Sequence, residues 1–221
     1  MLIGDGKSRL EVQLPFHRIV STIEAHLSKN ADRAAAVVVG PRREGWFNSE
    51  AFVALMEAIN VFEDGGFSVY GEENFNTALA KLGWPIASGD PGKLPDLVGY
   101  GADDNVAPTF ILESKLVYSD DVGAGQPAIR TLSAQLANAR AIAPSVPILG
   151  VVYAVQSPRP GDAGAFLKRL STVMENELSA SAGFDWVGGP VHCIEGLNQR
   201  ATNFAGFSCY STVAIGVRAA R

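Results

Sequence analysis

From Pro147 to Val155 the chain reads Pro-Ile-Leu-Gly-Val-Val-Tyr-Ala-Val, without a single charged side chain. A run of that length and β-branched content predicts a strand buried on both faces, because a strand with one wet face alternates polar and apolar residues. Helical patterns flank it. Ala128 to Ala143 places Ile129, Leu132, Leu136 and Ala143 on one side and stops at Pro144-Ser145, and Asp162 caps a segment carrying Phe166, Leu167, Leu170, Val173, Met174 and Leu178.

The N-terminal half adds further elements. Phe16, Ile19, Val20, Ile23 and Leu27 recur at helical spacing behind Pro15, and the run Ala34 to Val39 either extends that helix or forms a short strand. Gly40-Pro41-Arg42-Arg43-Glu44-Gly45 reads as a break. A second helix is expected from Ser49 to Phe62, capped by Asn48 or Ser49, with Phe52, Leu55, Met56, Ile59 and Phe62 on one stripe. Phe67 to Tyr70 reads as a strand, Asn76 to Leu82 as a short helix, Leu94 to Tyr100 as a short strand and Thr109 to Tyr118 as a long one. Trp186 to Ile194 and Phe204 to Val217 supply further β-like material. The order predicts an α/β fold with a central mixed β-sheet flanked by helices. It divides into an N-terminal helical extension (1–47), a core (48–160), and a C-terminal helix and strands (161–221) completing the same domain.

Composition narrows the function. With 47% hydrophobic and 19% charged residues the chain is ordinary globular material, and a net charge of −5 argues against non-specific coating of nucleic acid while leaving room for a local basic groove. Cys193 and Cys209 are the only cysteines, so neither a disulfide framework nor Cys/His zinc spacing is available. The start Met1-Leu2-Ile3-Gly4-Asp5-Gly6 lacks the marks of a signal peptide and no apolar stretch has membrane length, so a cytoplasmic protein without membrane contact is expected. No GxGxxG after a strand, Walker A loop or GxSxG elbow occurs.

Three side chains carry chemistry. Asp96 follows Pro95 on one strand, and Glu113 and Lys115 stand two apart on the next, so the latter pair shares a face while Leu112, Ser114 and Leu116 take the other. If the strands pair as a hairpin, Asp96 reaches the same place. Charges within Phe110-Ile111-Leu112 and Leu116-Val117-Tyr118 are expensive inside a sheet unless paired or functional. Asp5-Gly6-Lys7 repeats the triplet without strand context or a partner carboxylate. Phosphodiester hydrolysis suits the trio: a hard cation on two carboxylates polarises the phosphate and activates water, and a lysine steadies the developing charge.

Pro95-Asp96 on one strand and Glu113-Ser114-Lys115 on the next, with a helix before and a helix plus strand after, resemble the PD-(D/E)XK nuclease superfamily, the restriction-endonuclease-like fold, over Asn48 to Val155. The resemblance implies that Asp96 and Glu113 bind Mg²⁺ (or Mn²⁺ as a substitute), joined by the Ser114 backbone carbonyl, and that Lys115 is the catalytic lysine. Many members add a glutamate from the preceding helix, for which Glu57 is the expected residue and Glu50 the alternative; both lie opposite the apolar stripe of the expected helix. Some members carry a Gln followed four residues on by Tyr after the lysine strand; here Gln135 is followed by Ala139, which favours an ordinary polar helix position.

Arg42, Arg43, Arg130 and Arg140 are the candidates for contact with DNA phosphates. Trp46 and Phe47 read as a staple to the core, and His17, His26 and His192 as structural. The expectation is a Mg²⁺-dependent DNA endonuclease of bacterial or phage restriction or defence type, working as a homodimer because a duplex has two strands to cut. An inactive endonuclease-like module that binds nucleic acid or protein, and an RNA-directed nuclease, are the alternatives.

Overall fold

A computed structural model describes residues 16–39, 44–58, 68–71, 89, 92–100, 110–155, 163–179, 192–193 and 212–218. In chain order the elements are helices α1 (Phe16–Lys29), α2 (Ala31–Val39) and α3 (Glu44–Glu57), and strands β1 (Ser68–Gly71), β2 (Leu97–Tyr100) and β3 (Phe110–Tyr118). Helix α4 (Gln126–Ile142), strand β4 (Ile148–Val155), helix α5 (Ala163–Met174), and strands β5 (His192–Cys193) and β6 (Thr212–Arg218) follow. The expected α/β architecture is present: one mixed sheet, ordered β1-β2-β3-β4-β6-β5, with helices on both faces.

The apolar run singled out at the start is β4, every residue of which is buried. It lies parallel to β3, joined through α4, and antiparallel to β6. Alternation along the two central strands divides the core. Leu112, Leu116, Tyr118, Leu149, Val151 and Tyr153 pack with Ile19, Ile23, Leu27, Phe47 and Leu55 of α1 and α3. Ile111, Val117, Ile148, Val152 and Ala154 pack on the other face with Ile129, Leu132 and Leu136 of α4 and Phe166 and Leu170 of α5. Helix α1 thus buries its stripe in the same core as the sheet.

The hairpin expected of β2 and β3 forms, but its ladder is short. Leu97 pairs with Leu112, Val98 with Ile111 and Gly99 with Phe110, after which β3 continues to Tyr118 without β2 beside it. Gly99 is required here, because a Cβ on it would lie 2.1 Å from the Phe110 ring. At the other end of β3, Gly123, Ala124 and Gly125 all have positive φ, and a Cβ on Gly125 would lie 2.3 Å from Val117. This left-handed turn sends the chain straight into α4.

Some boundaries differ from expectation. Ala34 to Val39 is helical. Helix α3 spans Glu44–Glu57, taking in Glu44 and Gly45 of the expected break and preceding the expected start at Ser49, and its buried face is Phe47, Glu50, Ala51, Ala54 and Leu55. Met56 of the expected stripe is exposed and Glu50, placed opposite that stripe by the sequence, is buried. The buried face is centred on Phe47, Ala51, Ala54 and Leu55, with Phe52 packed partly against it, so it is rotated away from Met56 and takes in Glu50. The expected helix 76–82, the end of the expected helix beyond residue 58, and Arg42 and Arg43 lie outside the described residues. Of the late β-like segments, His192–Cys193 and Thr212–Arg218 are strands. Among the described residues no helix is long and apolar enough to cross a membrane.

Candidate active site

Amides of β3 point alternately to its two neighbours. Those of Ile111 and Ser119 face β4, bonding the Pro147 and Val155 carbonyls, so the even-numbered amides face β2. Where β2 ends, those amides need other acceptors, since an unpaired buried N–H costs about 1–3 kcal/mol. Carboxylates supply them: Ser114 N–H donates to Asp96 Oδ2 at 2.7 Å, Leu116 N–H to Glu44 Oε2 at 3.1 Å, and Tyr118 N–H to Asp121 Oδ2 at 2.7 Å. The gap between the two strands is lined with acid.

Asp96 and Glu113 come together here, each one residue past the last paired positions, Leu97 and Leu112. Glu113 is buried and faces α4, where Gln135 Nε2 donates to its Oε2 at 3.2 Å. Lys115 alternates to the same face, and its Nζ reaches Glu44 Oε1 of α3 at 2.8 Å, with 12% of its side chain exposed. Ser114, wholly buried on the opposite face, bonds Asp96 Oδ2 through Oγ at 3.0 Å and also contacts Asn48 Oδ1 on α3. Tyr153 of β4 is stacked on Phe47 at 4.8 Å, and among the described residues neither its buried hydroxyl nor the Gln135 side-chain oxygen has a hydrogen-bond partner.

Three carboxylates therefore surround one ammonium. Burial first, and then the Asp96 charge, push Glu113 up to about 8, against the pull of Lys115 and the Asp96 amide. Burial also raises Asp96, opposed by its hydrogen bonds from Ser114 and by Lys115. The Tyr153 hydroxyl is raised by burial and by the Asp96 and Glu44 charges. The hydrogen-bond donors that hold Asp96 and Glu113 are neutral amide and hydroxyl groups, and Lys115 is the cation that acts on both carboxyls. Among the described residues no group of three His, Cys, Asp and Glu side chains forms a metal cage. The donor set is instead two hard carboxylates beside a strand edge to which the Ser114 carbonyl, like its amide, is turned; that set suits a small divalent cation that keeps part of its water shell.

Glu113 gives a pH prediction for the metal-free protein. Its pKa is higher folded than unfolded, so folding is favoured while the group is protonated, and that advantage is lost as pH rises from about 4.5 toward about 8. Stability should fall through that window by a few kcal/mol, since each tenfold change in proton affinity is worth about 1.4 kcal/mol. Glu113→Gln should flatten the fall; equal slopes for wild type and variant in urea titrations at about pH 5 and about pH 8.5 would contradict it.

Neither Glu57 nor its alternative Glu50 lies at the strand gap. Glu57 Oε2 sits 3.4 Å from His26 Nδ1 with 64% of its side chain exposed, 13 residues and thus about 20 Å along α3 from Glu44. Glu50 accepts from His26 Nε2 at 2.7 Å and from Arg33 at 2.6 Å. Both belong to a cluster tying α3 to α1 and α2. Glu44 reaches Lys115 because the helix starts early, which puts it and Asn48, one turn apart, at the strand gap. The i, i+4 pair Glu44 and Asn48 was the available signal, hidden by Gly45 and the preceding Gly-Pro. Gln135, expected to be an ordinary polar position, meets Glu113. Arg130 is paired with Glu177 at 3.0 Å, and Arg140 lies in the last turn of α4. No protein-family model, curated protein or solved structure matches the chain.

Proposed function

We propose that this chain is a Mg²⁺-dependent nuclease with a restriction-endonuclease-like core, hydrolysing phosphodiester bonds of DNA. The observation that carries the reading is the meeting of Asp96 and Glu113 where β2 leaves β3, with Lys115 beside them. Asp96, Glu113 and the Ser114 carbonyl would hold the cation. When bound, Mg²⁺ polarises the scissile phosphate and lowers the pKa of its water.

The remaining roles fall to the chain. Lys115, fixed by its strand and by Glu44, presents a cation to the charge that grows on the phosphate oxygens. Glu44 serves in the place expected of the helix glutamate, orienting Lys115. Gln135 fixes the Glu113 carboxylate through one oxygen and leaves the other for the cation. Substrate phosphates approach the open edge of β3, and cutting both strands of a duplex calls for two copies of the site, hence a homodimer.

The test is plasmid cleavage by the purified protein with Mg²⁺, with EDTA, and by Lys115→Ala, with single-stranded RNA as a parallel substrate. Metal-dependent nicking or linearisation that disappears with EDTA supports the proposal; RNA cleavage with sparing of duplex DNA moves it to an RNA-directed nuclease. One observation favours a second reading. The Lys115–Glu44 pair is also what a purely structural ion pair looks like, and a folded wild type that neither cuts nor binds Mg²⁺ would make this an inactive binding module.

Gln135→Leu adds a graded prediction. It removes the donor to Glu113 Oε2 without touching the ligands, so metal-dependent cleavage should drop about 10- to 100-fold at low Mg²⁺ and recover in part as Mg²⁺ rises. An unchanged Mg²⁺ titration would remove Gln135 from the site.

A further inference from the structure

The residue between the acid and the lysine is a serine, buried completely and bonded twice to the carboxylate on the neighbouring strand. Resting on the nuclease reading, we infer that Asn48 and Ser114 are positioning residues that clamp Asp96 Oδ2, so that Asp96 meets the cation through Oδ1 alone. Three contacts define the clamp. Ser114 N–H donates to Oδ2 at 2.7 Å, Ser114 Oγ lies 3.0 Å from the same oxygen, and the serine hydroxyl also contacts the Asn48 amide from α3.

Counting hydrogens gives the clamp a direction. A serine hydroxyl has one hydrogen and cannot donate to both Asp96 and Asn48. An Asp96 that serves as an anionic ligand accepts that hydrogen, and Ser114 Oγ is then an acceptor facing the asparagine. The Asn48 amide satisfies it by turning its NH₂ toward Oγ, a half-turn that its shape permits. The chain becomes Asn48 N–H to Ser114 Oγ, and Ser114 O–H to Asp96 Oδ2. The Asn48 amide and the Ser114 hydroxyl act through Asp96; the Ser114 backbone carbonyl, which would itself face the cation, is untouched by side-chain changes at either position.

This arrangement also couples the ligand to the helix that carries Glu44. Asn48 and Glu44 are one turn apart on α3, so the same helix face orients Asp96 through Ser114 and Lys115 through Glu44. Both halves of the site are set from one element.

The experiment is a Mg²⁺ titration of the full chain, read by calorimetry and by plasmid cleavage, on wild type, Ser114→Ala, Ser114→Thr, Asn48→Ala and Asn48→Asp, with Tm recorded for each. Ser114→Ala should raise the half-saturating Mg²⁺ about 10- to 100-fold, and Ser114→Thr, which keeps the hydroxyl, should restore most of it. Asn48→Asp has the size of asparagine but has lost the NH₂ donor, so it should weaken Mg²⁺ binding at least as much as Asn48→Ala. A space-filling role for Asn48 predicts the reverse order. If the serine variants fail to fold, the Asn48 pair decides, because it alters no strand residue. Variants that match a metal-binding wild type at unchanged half-saturation overturn the clamp and leave the nuclease reading standing. A wild type that binds no Mg²⁺ in either readout overturns both.

Discussion

Lys115→Ala should reduce Mg²⁺-dependent cleavage by about 10²–10³-fold while leaving the protein folded, the range seen when one preorganised stabiliser of transition-state charge is removed. The ammonium is held by β3 and by Glu44 Oε1 at 2.8 Å, and only 12% of the side chain is exposed, so it works where water screens it little. Truncation frees one Glu44 oxygen, but the other still accepts from Leu116 N–H and Glu44 is 36% exposed, so the fold loses little. Lys115→Arg should not rescue, because a planar fork replaces a compact point charge on a shorter path to the phosphate. Initial rates of plasmid nicking at saturating Mg²⁺, beside Tm for each variant, check this. An alanine variant that cuts at nearly the wild-type rate would remove Lys115 from the chemistry.

The second large effect concerns stability. Glu50→Ala should destabilise the protein by about 1–3 kcal/mol, the cost of leaving a buried polar group short of its hydrogen-bond partner. The Glu50 and His26 side chains are 8% and 7% exposed, so deleting the carboxylate takes from His26 its shortest hydrogen bond and leaves it Glu57 at 3.4 Å; Arg33, 57% exposed, turns to water. The cleavage rate per folded molecule should not change, since Glu50 faces α1 and α2 rather than the strand gap. Urea unfolding beside a cleavage assay at low denaturant separates the two quantities. A loss of cleavage at unchanged stability would put Glu50 back into the site.

Much of this protein is legible from its sequence because apolar periodicity is a local signal. The unbroken run of β4 requires a layer on each face, and both layers are there. The two charges interrupting β3 mark the site, and hairpin pairing puts Asp96 within reach. Illegible are the residues whose roles depend on where a neighbouring element begins. Glu44 and Asn48 matter because α3 starts five residues earlier than its capping residues suggest, and nothing local in Gly-Pro-Arg-Arg-Glu-Gly announces that. Glu50 falls on the wrong face of the expected helix because the contact side of α3 includes Phe47, which precedes the expected start, and two alanines, which contribute weakly to any apolar stripe. Gln135 lacks the tyrosine four residues on that would draw attention to it, although its own side chain suffices to meet Glu113.

The acids along β3 have a consequence outside catalysis. A strand that loses its neighbour halfway exposes a ladder of amides, the template on which foreign strands add and aggregates grow. In this protein Asp96, Glu44 and Asp121 occupy those amides in turn, so an incoming strand would have to displace a carboxylate at every second residue. Among the described residues, the stretch of β3 beyond its pairing with β2 is thus guarded by side chains that already hold its amides.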